Sequence, residues 1–461
     1  MNWSSSELTD LDLGDKRLET RAAHILNAML KAPQSSLPKA CQSWSSTLAT
    51  YRFFWNEAVS HDALMASHFE ATECRIRQQD SKIILCIQDT TELDFNGQET
   101  EGLGRLSYDK QRGMYLHPTL CITPERLPLG ITDTWMWSRG LSKAADQANP
   151  SIKESRRWIE GYERVAELAA RCPGHRLIYT GDRESDFYDL LKRAQALDYP
   201  ADLLIRAQHN RALGDDLKLW DAIEQQQALT RITFTKPRKQ GEKARKVVQE
   251  IKVLRYTLRP KSKHPMLLTL VQAKEINPPA GKSPLIWRLV TNRCVETADA
   301  ACELIDWYRA RWEIEMFFDV LKVGCRVEKL QLDTKERIEK ALALYIMVAW
   351  RIMFLMRLGR TCPELPAELV FDPLEWKVSF RLGKKALPDG IPTLNQVIRN
   401  LAELGGFLGR KCDGEPGAKS IWLGYSRVLD CIYGIQMASE LGEATVLMLC
   451  QACCFPCGFQ G

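Results

Sequence analysis

The chain has 461 residues, of which 45% are hydrophobic and 26% charged. That composition excludes a disordered or fibrous protein, and the length predicts two or three domains. Net charge is only +5, yet residues 231–282 hold fourteen Lys/Arg against three acids, a local +11 that leaves −6 elsewhere. Such a tract is either a polyanion-binding surface or a solvated hairpin with no partner.

The N-terminus has no basic-then-apolar signal pattern, so a cytoplasmic protein is expected. Its fifteen cysteines then read as reduced thiols, mostly small hydrophobes in apolar segments. A tail cluster at Cys450, Cys453, Cys454 and Cys457 has metal-like spacing but no structured framework near it.

In chain order, residues 12–31, 40–55 and 61–75 have helical spacing, predicting a small N-terminal bundle that is either a DNA-binding module or a plain scaffold. Residues 82–89 (KIILCIQD) form a continuous apolar run ending in an acid, the pattern of a buried strand. Strands follow at 114–123 and 127–137, a helix at 152–171, and a strand at 176–180 that delivers Gly181-Asp182-Arg183-Glu184. A helix at 186–196 and a strand at 203–206 complete a strand-strand-strand-helix-strand-helix-strand order. This order predicts an α/β, ribonuclease-H-like core in which Asp89 and Asp182, 93 positions apart, lie side by side.

The basic tract reads as an inserted β subdomain at about 229–282, with strands at 231–235, 247–258 and 266–272. A strand at 285–291 and a helix from about 297 resume the core. The apolar helix at 341–356, interrupted by Arg351, is shorter than the roughly 20 residues a membrane span needs; it is expected to be a core helix, with no membrane partner. Helical spacing at 393–408 and 421–437 predicts a helical C-terminal domain. The expected domains are therefore 1–75, 76–362 and 363–461.

The segment YRARWEIEMFFDVLK, residues 308–322, carries the chemistry. At about 100° per residue, Tyr308, Arg311, Glu315, Asp319 and Lys322 fall on one narrow stripe. The remaining circumference is apolar except at Arg309 and Glu313, which predicts a buried helix with its charged stripe aimed at a site. Asp89, Asp182 and Glu315 together supply the carboxylate oxygens that hard divalent cations prefer. Arg311 and Lys322 either hold phosphates or merely neutralise Glu315 and Asp319.

Tyr308, Arg311, Glu315 and Lys322 also match the Y-(2)-R-(3)-E-(6)-K signature of bacterial cut-and-paste transposases of the insertion-sequence-four family. Asp89-Thr90-Thr91 resembles that family's first acid motif. Asp182-Arg183-Glu184-Ser185-Asp186 resembles its second, with Ser185 in place of alanine. The resemblance implies a catalytic triad of Asp89, Asp182 and Glu315 binding two Mg²⁺ or Mn²⁺ ions, with no small-molecule cofactor. It implies that Tyr308, Arg311 and Lys322 grip DNA phosphates, and that Trp287 stacks a flipped-out base, although strand-core packing explains Trp287 equally well. Arg206 would track the DNA backbone, as would Arg238, Lys239, Arg245 and Lys246 of the insertion; His117 receives no ligand role. Double-stranded DNA (element ends and target) and a second copy of the chain are the implied partners. The implied reaction is hydrolytic nicking, hairpin formation, reopening and strand transfer.

A metal-dependent nuclease on the same fold and a catalytically inert inhibitor remain competing readings. A glycosidase with paired carboxylates leaves the basic insertion unexplained. The tail beyond about Met437 departs from the helical end that the resemblance leads one to expect.

Overall fold

The computed structural model describes residues 3–108, 110–141, 155–214, 217–236, 245–259, 265–410 and 414–441. Arg238, Lys239 and the tail cysteines lie outside the described residues. Every described cysteine is free.

Five helices come first: α1 (Trp3–Glu7), α2 (Lys16–Lys31), α3 (Leu37–Cys41), α4 (Trp44–Trp55) and α5 (His61–Arg77). Side chains of Asp15, Ser43 and Ser60 cap α2, α4 and α5 by accepting N–H groups of the first turn. The strands β1 (Ile83–Gln88), β2 (Thr91–Asp94), β3 (Gly104–Arg105), β4 (Arg112–Ile122) and β5 (Pro128–Trp137) follow. Next come α6 (Arg156–Arg171), β6 (Arg176–Gly181), α7 (Tyr188–Ala196) and β7 (Asp202–Arg206).

In the sheet, β1 lies between β4 and β6 and β6 between β1 and β7; β5 pairs with β4. β1, β6 and β7 run parallel, while β4 is antiparallel to β1 and β5 antiparallel to β4. Parallel strands sandwiched by helices are apolar throughout, and β1 accordingly buries all but its first residue. Gly161 of α6 permits close packing on this sheet: a Cβ there would stand 2.1 Å from Gln88 Nε2.

Beyond β7 lie the small hairpin β8 (Ala212–Gly214) and β9 (Leu217–Lys218), then α8 (Leu219–Glu224). The basic tract forms β10 (Thr230–Lys236), β11 (Arg245–Leu258) and β12 (Met266–Glu275), and β13 (Ile286–Thr291) returns. These strands do not make a separate sheet. The order β10-β11-β12-β13-β7 continues the central sheet to 11 strands, because β13 pairs antiparallel with both β12 and β7.

The helix foreseen from about 297 is interrupted. α9 (Ala298–Ala310), capped by Thr297, gives way at Arg311 to α10 (Trp312–Asp319), and a π-helical turn (Val320–Gly324) follows. α11 (Lys335–Thr361) runs 27 residues, longer than foreseen, and is buried inside the protein over most of its apolar stretch. Along its length Lys340 Nζ donates to Asn56 O (3.1 Å) and Trp350 Nε1 to Pro128 O (2.9 Å). Farther on, Arg357 pairs with Glu313, and the carbonyl of Gly359 accepts from Asn395. The N-terminal helices, the sheet and α11 thereby share one hydrophobic core. A second core underlies α6 and α7. A third joins α12 (Pro373–Leu382), α13 (Leu394–Leu404) and α14 (Ala418–Leu441).

Candidate active site

Asp89 and Asp182 each stand one residue past a strand, β1 and β6, which are adjacent and parallel with Ile87 opposite Thr180. The two acids therefore leave the sheet at the same end. Asp89 Oδ1 accepts the Thr90 N–H (2.8 Å) and Asp182 Oδ1 the Glu184 N–H (2.8 Å), so each carboxylate is oriented by its own turn. Glu315, in the first turn of α10, completes the trio.

Arg311 stands among these acids. Its Nη1 pairs with Asp89 and its Nη2 lies 3.7 Å from Glu315 Oε1. Burial pushes the Asp89 carboxyl up to about 6; Arg311 opposes that rise, while the charges of Asp182 and Glu315 add to it. The three acids are thus electrostatic neighbours. Among the described residues, no three Asp, Glu, His or Cys side chains are close enough together to hold an ion. A guanidinium already bridges two of the oxygen donors. The donor set is the hard-oxygen set that a divalent cation takes, and the cation now present among them is an arginine.

The charged stripe spans the α9–α10 break. Tyr308 and Arg311 are buried, whereas Glu315 and Asp319 are exposed and Lys322 is half-buried on the π turn. Arg311 Nε is buried without a hydrogen-bond partner among the described residues, and the buried Tyr308 hydroxyl interacts only with Arg206, itself a donor, which leaves two donors for a ligand. The opposite face is not uniformly apolar and hidden: Trp312 is 62% exposed and Arg311 lies 5.6 Å from its ring. Glu313, an apparent flaw in the apolar face, is buried against Arg357 (Nε to Oε2, 2.8 Å).

A hydrogen-bonded relay joins the two loops that carry the aspartates. Glu184 Oε2 accepts from Arg157 (2.6 Å), and Arg157 Nε donates to Thr90 Oγ1 (3.1 Å). Thr90 meets His117 Nδ1 (2.9 Å), whose Nε2 faces Gln88 Oε1 (3.3 Å). Burial and the neighbouring Arg157 hold His117 well below its usual range, so its ring is neutral. Asp186 is structural: its Oδ2 accepts the Gln208 and His209 N–H groups (2.6 and 3.0 Å), and Arg211 pairs with it. Gly181 and Ser185 sit so tightly that a Cβ at 181 would lie 2.3 Å from Ser185 Oγ.

The expected DNA contacts divide. Arg245 pairs in two-pronged fashion with the buried Glu275 of β12. Arg231, Lys252 and Lys274 of the same tract pair with Glu250 and Glu224. These pairs engage four of the fourteen cations, and Glu224 alone of their acids lies outside the tract, so the tract keeps most of its positive charge. Lys246 stays exposed. Trp287 is half-buried and stacks on Phe234 (6.2 Å between centroids, 17° between planes). Arg206 lines a cavity of about 340 Å³ with Arg183 and Arg288.

Three family models match this chain: "Transposase DNA-binding" at residues 1–59, "Transposase DDE domain" at 152–351, and "Transposase Tn5 dimerisation domain" at 347–445. The chain belongs to the Tn5-like DDE transposases. The DDE match includes Asp182 and Glu315 but begins beyond Asp89, so Asp89 rests on its place beside them. A solved piggyBac transposase synaptic complex with hairpin DNA matches at 9% identity over 64% of this chain and 52% of that one, with a TM-score of 0.34. The transposase chain spans about half the length of that protein. The order of DNA-binding, DDE and dimerisation regions is the one expected. The sequence did not reveal the Thr90–His117–Arg157–Glu184 relay, exposed Trp312, or α8 with its Trp220. The Asp89-Thr90-Thr91 and DRESD motifs offered a signal for Thr90 and Glu184 of the relay.

Proposed function

We propose that this transposase acts by cut-and-paste: it binds the inverted repeats at its element's ends, cuts through a DNA hairpin and joins the 3′ ends to target DNA. The observation that carries this reading is the convergence of Asp89 and Asp182 from adjacent parallel strands with Glu315, around the guanidinium of Arg311. Strand order and direction in β5-β4-β1-β6-β7 support a ribonuclease-H-like core with the basic strands as its insertion. The proposed domains are 1–75, 76–362 and 363–461, the last mediating a homodimer. The insertion-sequence-four assignment and a cytoplasmic location belong to the same reading.

Asp89, Asp182 and Glu315 would hold divalent ions, Mg²⁺ or Mn²⁺ and two in number, which when bound polarise the attacking and leaving oxygens of phosphoryl transfer. The protein's own groups position the DNA. Arg311, once released from Asp89, offers a guanidinium fork to a phosphate. Tyr308 donates its hydroxyl, and Lys322 adds a point charge. Exposed Lys246 and half-buried Arg206 follow the backbone, while Trp287 offers an aromatic face whose stacking on a base is worth about 1–3 kcal/mol.

The test is a supercoiled plasmid carrying the gene with its flanking repeats, incubated with the protein and Mg²⁺. Hairpin-ended fragments on a denaturing gel, followed by joined products, are expected. Asp182→Ala should lose several kcal/mol of transition-state stabilisation, about a thousandfold in rate. Cuts without joining would make the protein a nuclease. Unchanged cleavage by Asp182→Ala would remove the acids from the chemistry.

A further inference from the structure

Beside Asp182, on the far side of the sheet from Trp287, lies the cavity of about 340 Å³ walled by Arg183, Arg206, Gln208, Trp220 and Arg288. Trp287 and Arg288 are successive residues of β13, so they point to opposite faces. Three arginines line this space, of which Arg206 also interacts with the Tyr308 hydroxyl, and none of them forms an ion pair with a carboxylate among the described residues. Arg288 is the most constrained. Its Nε donates to Gln272 Oε1 (2.7 Å) and its guanidinium lies 4.3 Å from the centre of the Trp220 ring. Its Nη groups have no partner among the described residues. Burial lowers its pKa, and the charge of Glu224 opposes that shift without forming an ion pair. The Trp220 Nε1–H is likewise buried and without a partner.

The lining selects its ligand. Arginine and the indole N–H only donate hydrogen bonds, so apart from the Gln208 amide the side chains offer donors alone, and the fitting guest is an acceptor-only anion. Arg288 covers one face of Trp220, and the ring packs against the second hydrophobic core, so the cavity offers a base little surface for stacking. A planar guanidinium fork matches a phosphate in two-pronged geometry. We propose that this cavity is a second phosphate subsite, in which Arg288, held by Trp220 and Gln272, grips a backbone phosphate of the DNA strand running past Asp182. The subsite rests on the reading of the protein as a DNA-acting enzyme.

The experiment measures binding of the full chain to a labelled 30-base-pair duplex by fluorescence anisotropy across a salt series, without divalent metal. Each phosphate neutralised contributes about 0.9 to the slope of log affinity against log salt. Arg288→Gln should lower that slope by about one, and Arg288→Lys should restore it. Trp220→Phe keeps the ring under Arg288 and removes an N–H that serves no protein partner, so its fold should persist. It should leave the slope unchanged and weaken binding about tenfold. Wild-type slope in Arg288→Gln, or wild-type affinity in Trp220→Phe, overturns the subsite while leaving the transposase reading intact. A wild-type protein with no salt-dependent affinity for the duplex overturns both.

Discussion

Arg311 and Asp89, 222 residues apart in the chain, form an ion pair across the candidate active site. Both side chains are largely removed from water. The same guanidinium reaches toward Glu315. Without this cation, the largely buried Asp89 carboxylate would face those of half-buried Asp182 and exposed Glu315 with no positive charge between them.

Arg311→Ala therefore predicts a particular response to metal. The metal-free variant should lose up to about 3 kcal/mol, the cost of stranding a buried charge. Mg²⁺ or Mn²⁺ should recover that loss by supplying the missing positive charge. Melting curves with and without metal are the measurement, and the metal-induced rise in Tm should be larger in the variant than in the wild type. An equal rise in both would show that Arg311 and the ion do not compete for one place.

The Glu313–Arg357 pair makes a second prediction. Glu313 is 3% exposed, and burial raises its carboxyl although Arg357 opposes that rise. Removing one partner leaves the other charge buried, so Glu313→Ala should cost about 3–5 kcal/mol in urea unfolding. Glu313→Leu combined with Arg357→Met should recover most of that. A double variant no better than the single would mean that packing, not charge, holds α10 to α11.

Glu7 predicts the acid limit of the N-terminal helices. Burial alone would raise its carboxyl, but His68 and Arg75 outweigh it and hold the group at about 2. Ile131 N–H donates to His68 Nε2 (3.1 Å), so the neutral ring carries its proton on Nδ1, facing Glu7 Oε1 at 2.5 Å. Because the folded value is depressed, the stabilisation is complete above the ordinary value of 4.5 and fades as pH falls toward 2. Neutral His68 contributes only its hydrogen bond beside the Arg75 charge, so the stabilisation is less than the ~3 kcal/mol of the full shift. The Tm difference between wild type and Glu7→Gln should shrink across that interval. A constant difference would refute the linkage.

Arg245 and Lys246, adjacent on β11, should behave oppositely. Arg245→Gln strands buried Glu275 and should cost about 3 kcal/mol of stability with little change in the salt dependence of DNA binding. Lys246→Gln should leave stability within about 0.5 kcal/mol and reduce the salt slope by up to about one. Reversed outcomes would make Arg245, and not Lys246, the DNA contact.

The acids were legible because each sits at a sharp change of pattern. Asp89 and Asp182 end apolar strand runs, and Glu315 breaks an apolar helix at fixed spacing from Tyr308 and Arg311. Long-range partners were not legible. Glu313 looked like an interruption because Arg357 is 44 residues away. Arg245 looked available because Glu275, 30 residues on, meets it only once β11 and β12 pair. No glycine or proline marks the α9–α10 break, where Arg311 N bonds Tyr308 O and Ile314 N bonds Arg311 O in tightened turns. The helix α12 was missed, although Asp372, Pro373 and Glu375 spell out its capping box.

α11 works as a ruler. Lys340, Trp350, Arg357 and Gly359 dock in turn on the N-terminal helices, the sheet, α10 and the C-terminal helices. Their angular phase is thus as fixed as their spacing. One inserted residue midway would rotate everything beyond it by about 100° and swing Arg357 off Glu313, so the helix should tolerate substitution far better than any change of length.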